Sequence, residues 1–321
     1  PLRLVGSEMC IRDRYYMDAN VPIKLCYNAN TYVNTSELQG KLKETTQLGC
    51  ELINDNSVEA DAEMIALVVE SLKASGLTEF LVEIGHVDFY NGLIAESGLD
   101  EDAEVELREM ILNKNDFAVE EILNQNHVTG EVKNAMLKLP ELFGSVDVLN
   151  AAKELTSNKK ALTAIKRLEK LYAILEDYGV SRYISFDLAS LSNYGYYTGI
   201  IFKGFTYGTG EQVAAGGRYD KLLSQFGKNA AAIGFAVYMD QIMIAHSGNI
   251  QKTDYEYEVI VYEPKFRKYA FSLAGDLRNN GIKTELIPKK KEIDIHEYKK
   301  FKIDDGASKV TYVSKDGAVI L

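Results

Sequence analysis

Gln47-Leu48-Gly49-Cys50-Glu51 places an amide and a carboxylate on either side of a glycine, in a stretch suited to a β-strand. With a period of two, Gln47, Gly49 and Glu51 share one face. Such a face could read a small zwitterion, the glycine leaving room for the ligand; a solvated outer face fits the same pattern. Tyr196-Tyr197-Thr198-Gly199 is a second string with chemical potential. On a strand its two phenols face opposite ways, so that one can line a pocket while the other packs. Paired aromatics also serve as ordinary core or cross-strand partners. Gly216-Gly217-Arg218-Tyr219-Asp220 reads as a tight turn followed by a helix. It lacks the Gly-x-x-x-x-Gly-Lys of a phosphate loop and the spacing of a dinucleotide fingerprint. His86, His127, His246 and His296 share no ligand spacing, so no metal is implied, and no cofactor either.

The elements that must hold these strings can be read from periodicity. Ile23 to Tyr32 is rich in β-formers, and Leu48 to Ile53 is a second apolar run after a polar loop, an order that suits an antiparallel pair. Ile65, Val68, Val69 and Leu72 mark a helix over residues 60–75 that closes at Gly76. A strand over 80–84 and a helix over 87–96 follow. From about Asp100 to Tyr178 the pattern is almost wholly helical, with a break at Pro140 to Gly144, and suggests a helical insertion into a sheet domain. Strands return at 184–188, 196–202 and 213–215, followed by helices or strand–helix transitions over 221–226 and 233–246. Residues 247–254 form a plausible linker. Beyond it, strands at 259–262, 284–287 and 309–313 alternate with helical stretches at 265–279 and 298–304, the signature of a small α/β domain.

Composition narrows the classes of function. The chain has 321 residues, 46% of them hydrophobic, enough for one large domain and a smaller one. No run reaches the roughly 18 apolar residues of a membrane span. Cys10, Cys26 and Cys50 have no metal-ligand spacing, and a reduced cytoplasmic protein is the simplest reading. A formal net charge of −11 argues against a tRNA partner, which needs a basic face. Lys289-Lys290-Lys291 reads as a solvated loop. Residues 1–14 are set apart: Leu4 to Asp13 resembles an in-frame translation of a sequencing adapter and is expected to be non-native.

Taken in order, Tyr196-Tyr197-Thr198-Gly199, Ala214-Ala215-Gly216-Gly217-Arg218-Tyr219-Asp220 and Ile233-Gly234-Phe235-Ala236 resemble the C-terminal half of a histidyl-tRNA synthetase catalytic core. The resemblance runs from about Tyr15 to Leu321 and is strongest at Lys24–Glu63 and Tyr194–Met243. It implies an α+β fold with a class II aminoacyl-tRNA synthetase-like antiparallel sheet over 15–250, a helical insertion at about 100–180, and a small α/β domain at 255–321 resembling an anticodon-binding domain. It also implies a histidine site. Gln47 and Glu51 match residues that contact bound histidine, Tyr196 and Tyr197 match the tyrosine pair beside the imidazole, and Gly216 and Gly217 would let the backbone approach the ligand. A carboxylate and a phenol can satisfy both ring nitrogens of an imidazole. Arg218 would brace the fold.

The sequence departs from that family where phosphate is handled. Val33, Ser192 and Gln241 stand at three positions where the family has arginine, and Tyr32-Val33-Asn34-Thr35 replaces its Phe-Arg-x-Glu. Thr45-Thr46 replaces a phenylalanine-histidine pair, and Gly40-Lys41-Leu42-Lys43-Glu44 carries lysines for arginines, which lack the planar two-pronged grip on phosphate. Losing one preorganised donor typically slows such a reaction roughly 10²- to 10³-fold. A synthetase frame without these charges resembles the regulatory subunits of ATP phosphoribosyltransferase. The resemblance then implies no catalysis, a histidine-sensing role in histidine biosynthesis, and a partnership with a short catalytic phosphoribosyltransferase, as a homodimer within a hetero-oligomer. A divergent histidyl-tRNA synthetase is the alternative reading, and a general histidine-sensing domain a third.

Overall fold

A computed structural model describes residues 15–16, 19–32, 43–190, 195–227, 229–246 and 257–321. Val33 to Thr35, Gly40 to Leu42, Ser192, Tyr194, the segment 1–14 and the linker region lie outside the described residues. The chain forms two compact units, Pro1–Asn249 and Ile250–Leu321.

The first unit is built on an eight-stranded sheet. Its strands are β1 (Ile23–Tyr32), β2 (Glu44–Ile53), β3 (Phe80–His86), β4 (Phe143–Gly144), β5 (Ile184–Asp187), β6 (Ile200–Thr206), β7 (Ala214–Arg218) and β8 (Ala232–Tyr238), in spatial order β1-β2-β8-β7-β6-β3-β5-β4. All neighbours are antiparallel except β3 and β5. The pairing of β1 with β2 is the one read from sequence, with β2 beginning four residues earlier than the apolar run.

Helices cover one face of this sheet. In α1 (Val58–Ala74), Ser57 accepts a hydrogen bond from the Ala60 amide as N-cap, and Glu59 and Asp61 sit where the helix dipole favours acids. Ile65, Val68, Val69 and Leu72 are fully buried on its inner side. The helices α2 (Val87–Ser97), α3 (Glu101–Leu112), α4 (Asp116–Gln125), α5 (Gly130–Lys138), α6 (Asp147–Glu154) and α7 (Lys159–Asp177) follow, and α7 packs on both α1 and α2. Asn158 caps α7 by accepting from the Lys160 and Ala161 amides. Leu107, Ile122, Leu149 and Leu168 from this helical stretch share one core cluster with Leu52, Ile84 and Phe235 of the sheet. The helices thus complete the sheet's core. After the 3-10 turn Leu139–Glu141, β4 joins the sheet edge, a strand of two residues that periodicity could not reveal. A short helix, α8 (Met239–His246), follows β8.

The second unit has β9 (Tyr257–Tyr262), α9 (Arg267–Asn279), β10 (Lys283–Pro288), α10 (Ile295–Asp304), β11 (Lys309–Ser314) and β12 (Gly317–Ile320), with strand order β10-β9-β11-β12. Alternate residues of β9 serve two faces. Val259 and Val261 pack with Ala307, Val310 and Tyr298 of α10, and Ile260 packs with Ala270 and Ala274 of α9. The hairpin to β12 was not legible in sequence; Gly317 turns it with a positive φ of 90°.

No helix among the described residues is long and apolar enough to cross a membrane.

Candidate functional site

Three adjacent strands set one row across the middle of the large sheet. Glu51 of β2 pairs with Gly234 of β8, and Gly234 pairs with Gly217 of β7. Residues directly opposite in antiparallel strands project from the same face, so the only long side chain in this row of three is Glu51. A Cβ built on Gly234 would fall inside the Glu51 carboxylate. The carboxylate therefore lies flat across β8, and glycine is what lets it lie there. A Cβ on Gly217 would stand 2.7 Å from the Tyr197 ring, so the tyrosine uses the second glycine in the same way. One row further along, Tyr27 of β1 covers Gly49, its register partner. Gln47 pairs with Tyr238 at the end of the same face.

Glu51 is 6% exposed, and the Tyr219 hydroxyl donates to its Oε2. Tyr196 joins the group, its ring 4.5 Å from that of Tyr197 and 6.2 Å, edge-on, from that of Tyr219. Burial above all, then the nearby Glu51 charge, pushes the Tyr219 phenol well above the usual tyrosine range. Burial and then Tyr196 do the same to Tyr197. Both phenols consequently stay protonated and act as donors around a buried acid. A buried acid beside neutral phenols suits a flat, hydrogen-bonding heteroaromatic or cationic group. Among the described residues no group of three or more His, Cys, Asp and Glu could hold a metal ion.

The structure brings Gln47, Glu51, Tyr196, Tyr197 and Gly217 to one face, and corrects three readings. Tyr196 and Tyr197 are not on a strand with opposed side chains. They occupy the turn before β6, with their rings against each other. The strand starts only at Ile200, where pairing with β3 and β7 becomes possible, and the turn is fixed by the Thr198 amide donating to the Arg218 carbonyl at 2.8 Å. Gly216-Gly217-Arg218 is not a turn but the end of β7, a central strand. The glycines serve close lateral packing, and the turn comes after them. Gly216 also faces away from Glu51, because neighbouring strand residues alternate. A Cβ there would meet the Phe202 ring and the Gly234 carbonyl. Its part is to seat Phe202 in the core. Tyr219, Gly234 and Tyr27 were not singled out as site residues. The Gly-Gly-Arg-Tyr-Asp string already contained Tyr219, but its reach to Glu51 depends on strand order, which the sequence alone does not display.

Arg218, next to Tyr219, is 2% exposed and braces the fold. Its Nε and Nη2 bind Asp61 Oδ1 at 2.8 and 2.6 Å, and Nη1 donates to the Asp55 carbonyl at 2.9 Å. Arg167 of α7 holds the other oxygen, with Nε at 2.7 Å from Asp61 Oδ2. Burial raises the Asp61 carboxyl, and the two guanidiniums pull it back toward the charged form. At the start of α8, Asp240 accepts from the Thr46 amide at 2.8 Å, and the neutral Gln241 accepts from the Thr209 hydroxyl at 2.6 Å.

Residues 12–242 match the histidyl-tRNA synthetase family, and the sheet with its helix-covered back places the chain in that synthetase-like class. A histidyl-tRNA synthetase from Nostoc superposes with a TM-score of 0.75 over 96% of this chain and 74% of that one, at 18% identity, a likeness of fold alone. Closer in sequence is a structure from Bacillus halodurans described as an ATP phosphoribosyltransferase regulatory subunit/histidyl-tRNA synthetase. It is 33% identical with a TM-score of 0.80, over 95% of this chain and 77% of that one. ATP phosphoribosyltransferase regulatory subunits from Clostridium kluyveri and Ruminiclostridium cellulolyticum are 38% and 39% identical, over 92% and 86% of this chain and 75% and 67% of their own lengths. The chain belongs to the ATP phosphoribosyltransferase regulatory subunit family.

Proposed function

We propose that this chain is a non-catalytic regulatory subunit that binds L-histidine at Glu51 and reports its level to a separate catalytic ATP phosphoribosyltransferase in the cytoplasm. The observation that carries this reading is the buried Glu51 carboxylate lying over Gly234 with Tyr219 and Tyr197 around it. Histidine would enter between Glu51 and Tyr197, one imidazole N–H donating to the Glu51 carboxylate and the other ring nitrogen accepting from the Tyr197 hydroxyl. Gln47, at the end of the same face, is placed for the ligand's polar end, and Tyr196 packs behind Tyr197.

The charges needed for adenylation are missing at the positions of Val33, Ser192 and Gln241. Gln241 is engaged with Thr209, and neither group carries a positive charge. Feedback then requires that histidine bind two states of the assembly with different affinity.

Two measurements on the purified chain test the proposal. Calorimetric titration with L-histidine is expected to give saturable binding that Glu51→Ala removes. Histidine-dependent exchange of pyrophosphate into ATP is expected to stay at background, and exchange above background would replace this reading with that of an active synthetase. Co-purification with the short catalytic phosphoribosyltransferase tests the partnership.

A further inference from the structure

The opposite face of the two strands that carry Tyr27 and Glu51 holds a second pair of chemically active groups. Cys26 of β1 and Cys50 of β2 are register partners, so both side chains leave the sheet on one side. Their Sγ atoms are 2.9 Å apart. Directly opposed residues of an antiparallel pair have Cα atoms about 4.5–5.5 Å apart, within the roughly 4.4–6.8 Å that a disulfide spans. Closing the remaining gap to about 2.05 Å thus needs side-chain rotation and no shift of either strand. Cys26 is exposed, while Cys50 is partly covered. Burial first, then the hydrogen bond with Cys26, pushes the Cys50 thiol up to about 12. Reaction therefore begins at Cys26.

We propose that Cys26 and Cys50 are a reversible disulfide site, oxidised by a peroxide and reduced by a dithiol, that fastens β1 to β2 behind the pocket. In the first step the Cys26 thiolate attacks a peroxide oxygen. An S–O bond forms, the O–O bond breaks, and one water leaves after protonation, giving a sulfenic acid. The Cys50 sulfur then attacks the oxidised sulfur. The S–S bond forms, the S–O bond breaks, and the hydroxyl leaves as a second water with the Cys50 proton. Two thiols and one hydrogen peroxide become one disulfide and two waters. A dithiol restores both thiols by exchange and is itself oxidised to a disulfide. The short sulfur–sulfur separation favours the second step over further oxidation of Cys26. The bond would tie together the strands from which Tyr27 and Glu51 project on the other face.

The test uses the purified chain with Cys10→Ser, so that two thiols remain, treated with a small excess of hydrogen peroxide. The expected product is a monomer lighter by two hydrogens. Trypsin digestion without reductant should yield the peptide of Cys26 joined to that of Cys50, and dithiothreitol should reverse both changes. Cys26→Ser is expected to abolish the mass loss while leaving the circular dichroism spectrum unchanged, since its side chain is exposed. Cys50→Ser should do likewise; if it fails to fold, the Cys26 variant alone serves as the control. A sulfinic acid accumulating at Cys26, a bond joining two chains, or two free thiols surviving the peroxide would each overturn the proposal.

Discussion

Tyr219 and Glu51, 168 residues apart in the chain, meet in a hydrogen bond that crosses from the end of β7 to β2 over the glycine between them. Neutral phenol and buried carboxylate are fixed in complementary roles before any ligand arrives. Hydrogen bonds to charged groups contribute about 1.5–3 kcal/mol. Glu51→Gln is therefore expected to weaken histidine binding about 10- to 100-fold by calorimetry. A titration curve equal to that of the parent chain would take Glu51 out of the site.

Gly234→Ala probes the site without removing a polar group. The added Cβ coincides with the Glu51 carboxylate, so the acid must swing off β8 while the strand keeps its pairing. Histidine affinity should fall at least about tenfold, a shift of roughly 1.4 kcal/mol, with the far-ultraviolet spectrum retained. Gly275→Ala is the control: it lies in α9 with open space around its Cβ. That change should leave affinity alone and stabilise the helix by about 0.5–1 kcal/mol. Equal affinity in both variants would show that the position of the carboxylate does not matter to the ligand.

Asp61 is the shared acceptor of two guanidiniums, itself with no exposed surface. Asp61→Asn keeps the shape but leaves the buried Arg218 with only the partly exposed Asp220, 3.1 Å from its Nη1, as counter-charge. Removing one partner of a buried pair costs about 3–5 kcal/mol, and urea unfolding is expected to show a loss of that size. A loss below about 1 kcal/mol, the range of exposed pairs, would mean that solvent reaches the network.

His86 caps α2, its Nδ1 accepting from the Asp88 amide at 3.2 Å, and it is buried. Burial lowers its pKa from 6.5 to about 4, against the opposing pull of Asp88 and with help from Arg167 and Lys160. The unfolded chain therefore takes up a proton that the folded chain refuses between those two values. Stability is complete above about pH 6.5 and declines as pH falls toward 4, by about 3 kcal/mol in all. His86→Asn retains a cap acceptor and removes this titration. Denaturation midpoints of the two proteins, compared from pH 7 to 4.5, should converge as acid is added. A constant difference would indicate that His86 takes up its proton equally in the folded and unfolded chain.

Elements with a one-sided apolar pattern were legible because burial follows their own period. The row Ile65, Val68, Val69, Leu72 in α1 and the β-forming residues of Ile23 to Tyr32 needed no partner to be recognised. Gly216-Gly217 misled because two glycines normally signal a turn. Here they sit mid-sheet, where Phe202 and Tyr197 need the space a side chain would fill. Tyr196-Tyr197 looked like a strand from its β-forming residues, yet the chain has pairing partners only from Ile200 onward. Of the site, Glu51 and Tyr197 were named through the resemblance. Gly234 gains its meaning only from the order β2-β8-β7, which joins segments distant in sequence. The two-residue β4 and the four-residue β12 were missed for a plainer reason: neither is long enough to show a period.

Arg218 and Tyr219 are consecutive, yet they serve opposite sides of the sheet. One grips the Asp61 of α1 beneath it, and the other holds the acid above. A guest that drew Glu51 away from the Tyr219 hydroxyl would move a residue whose neighbour is bolted to the helical layer. The distance from pocket to scaffold is then a single peptide unit. Occupancy on one surface would then load the other through that one peptide unit.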